Sequence, residues 1–380
     1  MKKDNFITYI FLGIIFFIFI MYPINYILIN KKIIKPTINN TYTIIDDNNI
    51  ESKFLNLKNN INTKLSNYLF LFSEINQLVN NLNHHNFLYQ KNIPYGENSD
   101  QEFIFKLDDF YILQTNKNNE YIDKNIKKNT LFYNNLSQFT NLYIYLPSRY
   151  EFYDFNKVYN FKNMNEYLKY FKSNLNEFIK VKELNIKNEE EYKKLFYKTD
   201  HHWNAFGALI GYFDICEMFG LKPLDLKASS TDLKYIGSIG KKVMDQKTND
   251  YFSYIVSDLK YEVKVENDLY KPLVLQTNKG IYYDHYVGFY NGLYNEVIID
   301  YKQEDLDNLL IIGDSYAWSI DYIIASHFNK TYILNPKYLE NINIKEYLEK
   351  NNISKTLILM ETQTTLYDNY DYQFIEKLGG

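Results

Sequence analysis

Short apolar runs that alternate with longer amphipathic runs most strongly constrain what this chain can fold into. Runs of strand length lie at residues 141–147, 271–276, 308–315, 330–334 and 355–362. Runs with helical spacing of their apolar residues lie at 163–180, 205–219, 317–328 and 343–351. Strands that alternate with helices predict an α/β fold, with a mostly parallel sheet flanked by helices on both faces.

Three polar residues follow predicted strands directly. They are Arg149, Ser315 and Glu361, and in parallel sheets ligands bind beyond the carboxyl ends of the strands. Arg149 is the single arginine among 42 basic residues. Its planar, forked guanidinium suits a uronate or phosphate group of a substrate, although fixing a loop through carbonyl contacts explains it equally well.

The N-terminal part has a different composition. Residues 6–30 are almost wholly apolar and contain no charge, and about 20 such residues span a bilayer core. No small-residue cleavage site follows, so we expect an uncleaved transmembrane anchor after a cytoplasmic tail at 1–5. An Asn- and Thr-rich stalk or linker is predicted at 31–75 and one catalytic domain at 76–380.

The charges beside the predicted anchor favour a cytoplasmic location for the bulk of the chain. Lys2 and Lys3 precede the anchor, whereas Lys31, Lys32 and Lys35 follow it, and lysines prefer the cytoplasmic side.

Composition excludes some classes of function. The net charge of −4 argues against a general nucleic-acid binder. Cys216 is the single cysteine, so the chain has no internal disulfide, and its apolar surroundings predict a buried, inert thiol. The length of 380 residues is enough for a sizeable core without a metal staple, and no cofactor is expected.

The stretch "LLIIGDSYAW" places a serine at a strand tip. The apolar strand breaks at Gly313 and delivers Ser315 to a turn before a predicted helix. Backbone N–H groups at the start of a helix can stabilise a developing oxyanion. A serine hydroxyl is a weak nucleophile and needs a base within hydrogen-bond reach.

The stretch "KTDHHW" supplies that base. In an extended segment Asp200 and His202 point to the same side, and His201 points elsewhere. Asp200 would then orient His202, and His202 would take a proton from Ser315, as in a Ser-His-Asp triad. Asn204 is the predicted N-cap of the helix that follows.

Two other interpretations of this stretch stay open. Asp200, His201 and His202 are also residue types that bind metal ions, as in phosphoesterases with an Asp-His-His motif. Adjacent histidines rarely converge on one ion, and no second aspartate cluster accompanies them, so no metal site is assigned. Alternatively, His202 and Trp203 form a packed pair in the core.

The two stretches together resemble a known family. "TDHHW" followed far downstream by "LLIIGDSY" is similar to the Asp-His-His-Trp (DHHW) protein family. That family is related to the AlgJ- and AlgX-type alginate O-acetyltransferases of the SGNH-hydrolase-like superfamily. The resemblance covers roughly residues 100–365 and includes "LYIYLPSRYEFYDF" and "YYDHYVGFYNGLYNEVII".

The resemblance implies an SGNH-hydrolase-like fold and a triad of Ser315, His202 and Asp200. It also implies that Asn291 and Gly292 lie where relatives often carry Gly-Gly-Asn and help to line an oxyanion hole. This chain departs from that pattern, and an Asn-Gly pair is equally typical of a turn.

The resemblance further implies an O-acetyltransferase that acts on a surface or exported polysaccharide. Such proteins are anchored in the cytoplasmic (inner) membrane with the catalytic domain on the extracytoplasmic side, and they act beside a membrane-bound O-acyltransferase of the MBOAT type. This placement opposes the one that the lysines favour. A polysaccharide acetyl esterase and a catalytically idle scaffold of a polysaccharide-modification complex are the alternatives.

Overall fold

A computed structural model of the chain describes residues 87–95, 98–116, 119–147, 164–243, 248–265, 268–270, 277, 279–289, 294–337 and 342–367. The predicted tail, anchor and stalk, at residues 1–75, lie outside the described residues. Within the described ranges, no helix has the length and apolar character needed to cross a membrane.

A mixed sheet organises the described part of the chain. Its strands, in chain order, are β4 (Asn141–Leu146), β5 (Lys180–Glu183), β8 (Glu262–Val265), β9 (Asp268–Tyr270), β10 (Glu296–Asp300), β11 (Asn308–Gly313), β12 (Lys330–Leu334) and β13 (Ile353–Leu359). Their order across the sheet is β5-β4-β13-β11-β12-β10-β8-β9. The first five strands in this spatial order, β5, β4, β13, β11 and β12, are parallel to one another. Strands β10, β8 and β9 extend the sheet, and each is antiparallel to its neighbour.

The predicted strands at 141–147, 308–315, 330–334 and 355–362 are therefore confirmed, with small shifts of their ends. The strand predicted at 271–276 lies outside the described residues. Two smaller antiparallel sheets were not expected from the sequence. They consist of β1 (Phe87–Tyr95), β2 (Asn98–Leu107) and β3 (Phe110–Asn116), and of β6 (Lys227–Tyr235) and β7 (Asp250–Val256).

Helices lie between the strands. They are α1 (Asn119–Leu136), α2 (Met164–Ser173), α3 (Glu189–Leu195), α4 (Ala205–Phe219), α5 (Ser238–Val243), α6 (Asp321–Ala325), α7 (Ile344–Lys350) and α8 (Thr362–Tyr367). The helix predicted at 205–219 is confirmed at both ends, and the one predicted at 343–351 differs by one residue at each end.

Two predicted helices are wrong in extent. The one expected at 163–180 ends at Ser173, because the chain must turn to enter β5. The one expected at 317–328 is divided into a 3₁₀ turn, Ala317–Ser319, and the short α6, with a break at Ile320.

Strand β11 shows why the sheet is covered on both faces. Leu309 and Ile311 face a core that includes residues of α4 and α6. Leu310 and Ile312 face the opposite core, formed with α1, α2 and α7. All four side chains are buried, and each contributes about 1.5–3 kcal/mol through removal of apolar surface from water. The continuous apolar run thus follows from burial on both faces.

Helix α4 begins and ends at the residues that the sequence predicts. The Asn204 side chain accepts hydrogen bonds from the N–H groups of Phe206 and Gly207, at 2.9 and 3.2 Å, as an N-cap does. Gly220 ends the helix in the left-handed region, with φ 70°. Cys216 lies buried on this helix, and burial raises the pKa of its thiol to about 11, as expected of an inert thiol.

Candidate active site

Ser315 lies just beyond the carboxyl end of β11, a strand in the interior of the sheet between β13 and β12. A Cβ atom at Gly313 would lie 2.9 Å from the Ala317 Cβ and 3.1 Å from the Leu359 carbonyl oxygen. Glycine therefore lets the chain leave the strand in a close turn at this point. The Ser315 residue is only half-buried, whereas its neighbours Gly313 and Tyr316 are buried. The fold thus presents this hydroxyl at the strand tip.

Asp314 ties this turn to the neighbouring strand. One of its carboxylate oxygens accepts a hydrogen bond from the Tyr316 N–H, and the other accepts one from the Glu361 N–H just after β13, both at 2.9 Å. Burial raises the pKa of the Asp314 carboxyl to about 6, although these hydrogen bonds oppose the rise. Asp314 thus orients the turn and leaves Ser315 to face the site.

The Asp-His-His-Trp segment approaches from the loop before α4. Phe196 and Trp203 pair as an isolated antiparallel bridge, and the Tyr197 N–H donates to the His202 carbonyl at 3.3 Å. The residues between them form a tight loop that is closed at its base. The helix cap at Asn204 follows at once, so the histidines are held at the start of α4.

Trp203 and Tyr316 join this loop to the serine turn. The Trp203 indole N–H donates to the Tyr316 carbonyl at 3.2 Å and to the Ser319 hydroxyl at 2.9 Å. In return, the Tyr316 hydroxyl donates to the His201 carbonyl. Trp203 is also fully buried. The core interpretation of Trp203 is therefore correct, and this packing fixes one loop against the other.

Three of the residues singled out in the sequence form a hydrogen-bonded chain. The Ser315 Oγ lies 2.7 Å from the His202 Nε2, and the His202 Nδ1 lies 2.5 Å from an Asp200 carboxylate oxygen. His202 and Asp200 are only 6% and 5% exposed, so water screens this pair little. The same Asp200 oxygen accepts the His202 backbone N–H at 3.0 Å.

Asp200 is held as an anion. Burial alone raises the pKa of its carboxyl, but the neighbouring His202 and His201 and a hydrogen bond from the Ser238 N–H hold that pKa well below its usual range. The Ser238 N–H lies 2.7 Å from the second carboxylate oxygen. A Cβ atom at Gly237 would lie 2.4 Å from the Asp200 Cβ, so only glycine permits this approach. The acid therefore accepts hydrogen bonds on both oxygens.

Behind Asp200, a second acid holds the backbone. Asp250, at the start of β7, accepts hydrogen bonds from the Lys198 N–H at 2.7 Å and from the Thr199 N–H at 2.8 Å. The Thr199 hydroxyl also donates to Asp250, and it accepts the Gly237 N–H at 2.8 Å. Burial raises the pKa of the Asp250 carboxyl to about 6. No local signal in the sequence marks this support.

His201 does not point away from the site, so that expectation is wrong. Its Nδ1 lies 2.7 Å from the Ser238 hydroxyl and 3.4 Å from the same Asp200 oxygen that contacts His202. The two imidazole rings lie with centroids 3.9 Å apart. The chain bends at residues 201–202 instead of staying extended, so the i, i+2 rule does not apply.

A further ring, that of Tyr286, contacts His202. Tyr286, in a 3₁₀ turn at His285–Phe289, stacks on the imidazole with centroids 4.0 Å apart and planes 14° from parallel. Sequence reasoning missed Tyr286, because the chain has 39 tyrosines and nothing local distinguishes this one.

Arg149, Asn291 and Gly292 lie outside the described residues. Among the described residues, no acceptor meets the N–H of Ser315. An N–H beside the nucleophilic hydroxyl is the group that an oxyanion donor requires.

The metal alternative meets one geometric condition. Candidate ligand atoms of Asp200, His201 and His202 lie within 4.8 Å of one another, so the adjacent histidines converge more than we expected. The Nδ1 atoms of both histidines, however, already have hydrogen-bond partners, in Ser238 and Asp200 respectively. Binding an ion there would have to break the chain of hydrogen bonds from Ser315.

Metal removal tests this directly. The hydrogen-bonded chain from Ser315 to Asp200 needs no Lewis acid, so we expect dialysis against EDTA to leave any cleavage of p-nitrophenyl acetate by the purified protein within about twofold of its starting rate. Rates before and after dialysis, and after addition of Zn²⁺, give the measurement. Loss of activity on dialysis with recovery on adding Zn²⁺ would favour the metal site instead.

Comparison with known proteins supports the α/β architecture. The structure is similar to that of Bacillus cereus PatB1 with a sulfonyl adduct, with TM-score 0.57 and 21% identity over 71% of this chain and 98% of that chain. It is also similar to a DHHW family protein from Eubacterium siraeum, with TM-score 0.55 and 15% identity over 77% of this chain and 98% of that one. The resemblance to the DHHW family is confirmed. At 21% and 15% identity, these similarities show a shared fold alone.

The O-acetyltransferase domain of Pseudomonas putida AlgJ aligns with TM-score 0.42 and 11% identity over 71% of this chain and 96% of that one. No family model matches the sequence, and no curated protein matches it.

Proposed function

We propose that this chain is a serine O-acetyltransferase that moves acetyl groups onto a surface or exported polysaccharide through an acyl-serine intermediate. The hydrogen-bonded chain from Ser315 through His202 to Asp200 carries the proposal. Its distances are those of a nucleophile beside its base and a base beside its orienting acid. The turn at Ser315 also offers a backbone N–H to a developing oxyanion.

In the first step, Ser315 Oγ attacks the carbonyl carbon of the acetyl donor while His202 Nε2 accepts the hydroxyl proton. The tetrahedral intermediate collapses, and the leaving group departs with the proton from His202. Asp200 stays ionised and keeps the His202 Nδ1 protonated, so that Nε2 is free to act as the base. The product is acetyl-Ser315.

In the second step, the leaving group of the donor has left the site and a sugar hydroxyl binds in its place. His202 accepts the hydroxyl proton as the sugar oxygen attacks the acetyl carbon, and it returns the proton to Ser315 Oγ when the acyl bond breaks. The Ser315 N–H, together with Asn291 and Gly292, would stabilise the oxyanion in both steps. Arg149 would bind a uronate or phosphate of the acceptor.

The cellular setting belongs to the same proposal. The apolar segment 6–30 would anchor the chain in the cytoplasmic membrane, with the catalytic domain at 76–380 on the extracytoplasmic side. An MBOAT-type partner would deliver acetyl groups across the membrane. This setting is what the resemblance of the two sequence motifs to the DHHW family implies.

An acetyl esterase is the second candidate, because the same triad hydrolyses the intermediate if water reaches it. Ser315 is only half-buried, which favours access of water. The two functions differ in the acceptor alone.

The test is to incubate the full-length protein with p-nitrophenyl acetate, with and without an oligosaccharide acceptor, beside Ser315→Ala. Acetyl groups on the sugar, absent with Ser315→Ala, would support the transferase. Free acetate alone would support the esterase. If Ser315→Ala matched the wild type in both products, the acyl-serine proposal would be wrong, and a scaffold role would account for the chain.

A further inference from the structure

Two rings lie within about 4 Å of the imidazole of His202. The His201 ring has its centroid 3.9 Å away and its plane 38° from parallel, and the Tyr286 ring stacks on His202 at 4.0 Å and 14°. The near-parallel contact with Tyr286 places the phenol ring face against the imidazole ring. A ring face carries negative electrostatic potential and attracts a cation within about 6 Å of its centroid.

We propose that Tyr286 is a positioning residue, which holds the plane of the His202 ring and stabilises its protonated form as Ser315 is deprotonated. The inference rests on the proposed function. Neutral imidazole gains little from the ring face, whereas imidazolium gains more, so the contact strengthens as the transition state is approached. Only such differential interactions accelerate the chemical step.

The structure holds Tyr286 in place. The Asp284 side chain accepts the Tyr286 N–H at 3.0 Å at the start of the 3₁₀ turn. The rings of Phe289 and Trp318 lie at 5.2 and 6.2 Å from the Tyr286 ring. Tyr286 itself is 3% exposed. These contacts fix the Tyr286 ring before substrate binds. Its face therefore stays against His202, and no side-chain freedom has to be lost when substrate binds.

The hydroxyl of Tyr286 does not contact His202. It is buried, and the side chain that interacts with it is Ser319, which lies outside the hydrogen-bonded chain of Ser315, His202 and Asp200. The ring face is therefore the part of Tyr286 that acts on His202. Phenylalanine should replace it with little loss.

Other charges also act on His202, and the test must change only one of them. Among the described residues, the titratable side chains that contact His202 or interact with it through charge are Asp200, His201, Asp314, Tyr286 and Tyr316. The substitutions at Tyr286 leave the other four in place.

The experiment measures kcat and KM for p-nitrophenyl acetate against pH with the full-length protein. It compares the wild type with Tyr286→Phe, Tyr286→Leu and a protein that carries 3,4,5-trifluorophenylalanine at 286. Fluorination weakens the negative ring face but keeps the ring, so this variant remains informative even if the leucine variant does not fold. Ser315→Ala gives the background rate.

We expect Tyr286→Phe to retain the wild-type pH profile. The fluorinated and leucine variants should shift the acid limb of kcat/KM down by about 0.5–1.5 pH units. Their kcat on the plateau should fall about 3- to 30-fold, with KM unchanged. The shift is downward because removal of the ring face makes His202 harder to protonate.

One common pH profile for all four proteins would overturn the inference, and so would a shift in Tyr286→Phe equal to that in Tyr286→Leu. In both cases the wild type would still exceed Ser315→Ala, and the proposed function would stand. If the wild type did not exceed Ser315→Ala, the proposed function would fail, and the role of Tyr286 would fail with it.

Discussion

Replacing His202 with alanine is expected to lower kcat/KM for an activated acetyl ester by about a thousandfold or more. Its Nε2 lies 2.7 Å from the Ser315 Oγ, and no other base of the described residues is hydrogen-bonded to that hydroxyl. Without it, the serine keeps its proton and remains a poor nucleophile. Initial rates of p-nitrophenol release, corrected for those of Ser315→Ala, give the measurement.

His201→Ala is the matched control for this prediction. His201 contacts Asp200 and Ser238 instead of the serine hydroxyl, so its loss should lower kcat/KM by no more than about tenfold. Circular dichroism would establish that both variants fold. Equal losses in the two variants would mean that the pair of histidines acts as a unit. A larger loss in His201→Ala would mean that His201, and not His202, is the base.

Asp200→Asn is expected to lower kcat by about 10⁴-fold while the fold persists. The carboxylate accepts the His202 Nδ1–H at 2.5 Å and thereby selects the tautomer with a free Nε2. An amide at this position can present an N–H group to the ring and favour the wrong tautomer. Steady-state rates at saturating ester give the measurement. The control variant is Asp109→Asn, the same substitution at an exposed aspartate.

The pKa of Asp200 adds a second readout to this variant. Because the folded pKa lies well below its usual range, the stability that this carboxylate contributes is present above about pH 4 and is lost as the pH falls through the folded value. The free energy of unfolding of Asp200→Asn should therefore differ most from the wild type near neutral pH. A difference that grows toward acid pH would contradict the assignment.

The sequence predicts those parts of the molecule that depend on local signals. Strand β11 is recognisable because burial on both faces makes it a continuous apolar run. Helix α4 is recognisable because Asn204 and Gly220 mark its ends chemically. The approach of His202 to Ser315 is a distant contact, and it could be predicted because the two motifs together resemble the DHHW family.

Parts that depend on distant contacts could not be predicted. The helix expected at 317–328 is broken near Ile320. In the segment before this break, the Tyr316 carbonyl and the Ser319 hydroxyl accept hydrogen bonds from the Trp203 indole N–H. Strand β6, "KASSTDLKY", is polar and gives no strand signal. Tyr286 reaches the site from a turn whose sequence resembles many other tyrosine-rich stretches. Only the tertiary fold distinguishes such residues.

The most direct test of the account asks whether Ser315 is a nucleophile activated by His202. The full-length protein would be treated with an aryl sulfonyl fluoride, and the modified residue would be identified by peptide mass spectrometry. We predict an adduct on Ser315 that forms at least about 100-fold more slowly in His202→Ala. Modification of Ser315 at the same rate without His202, or modification of another residue only, would contradict the account.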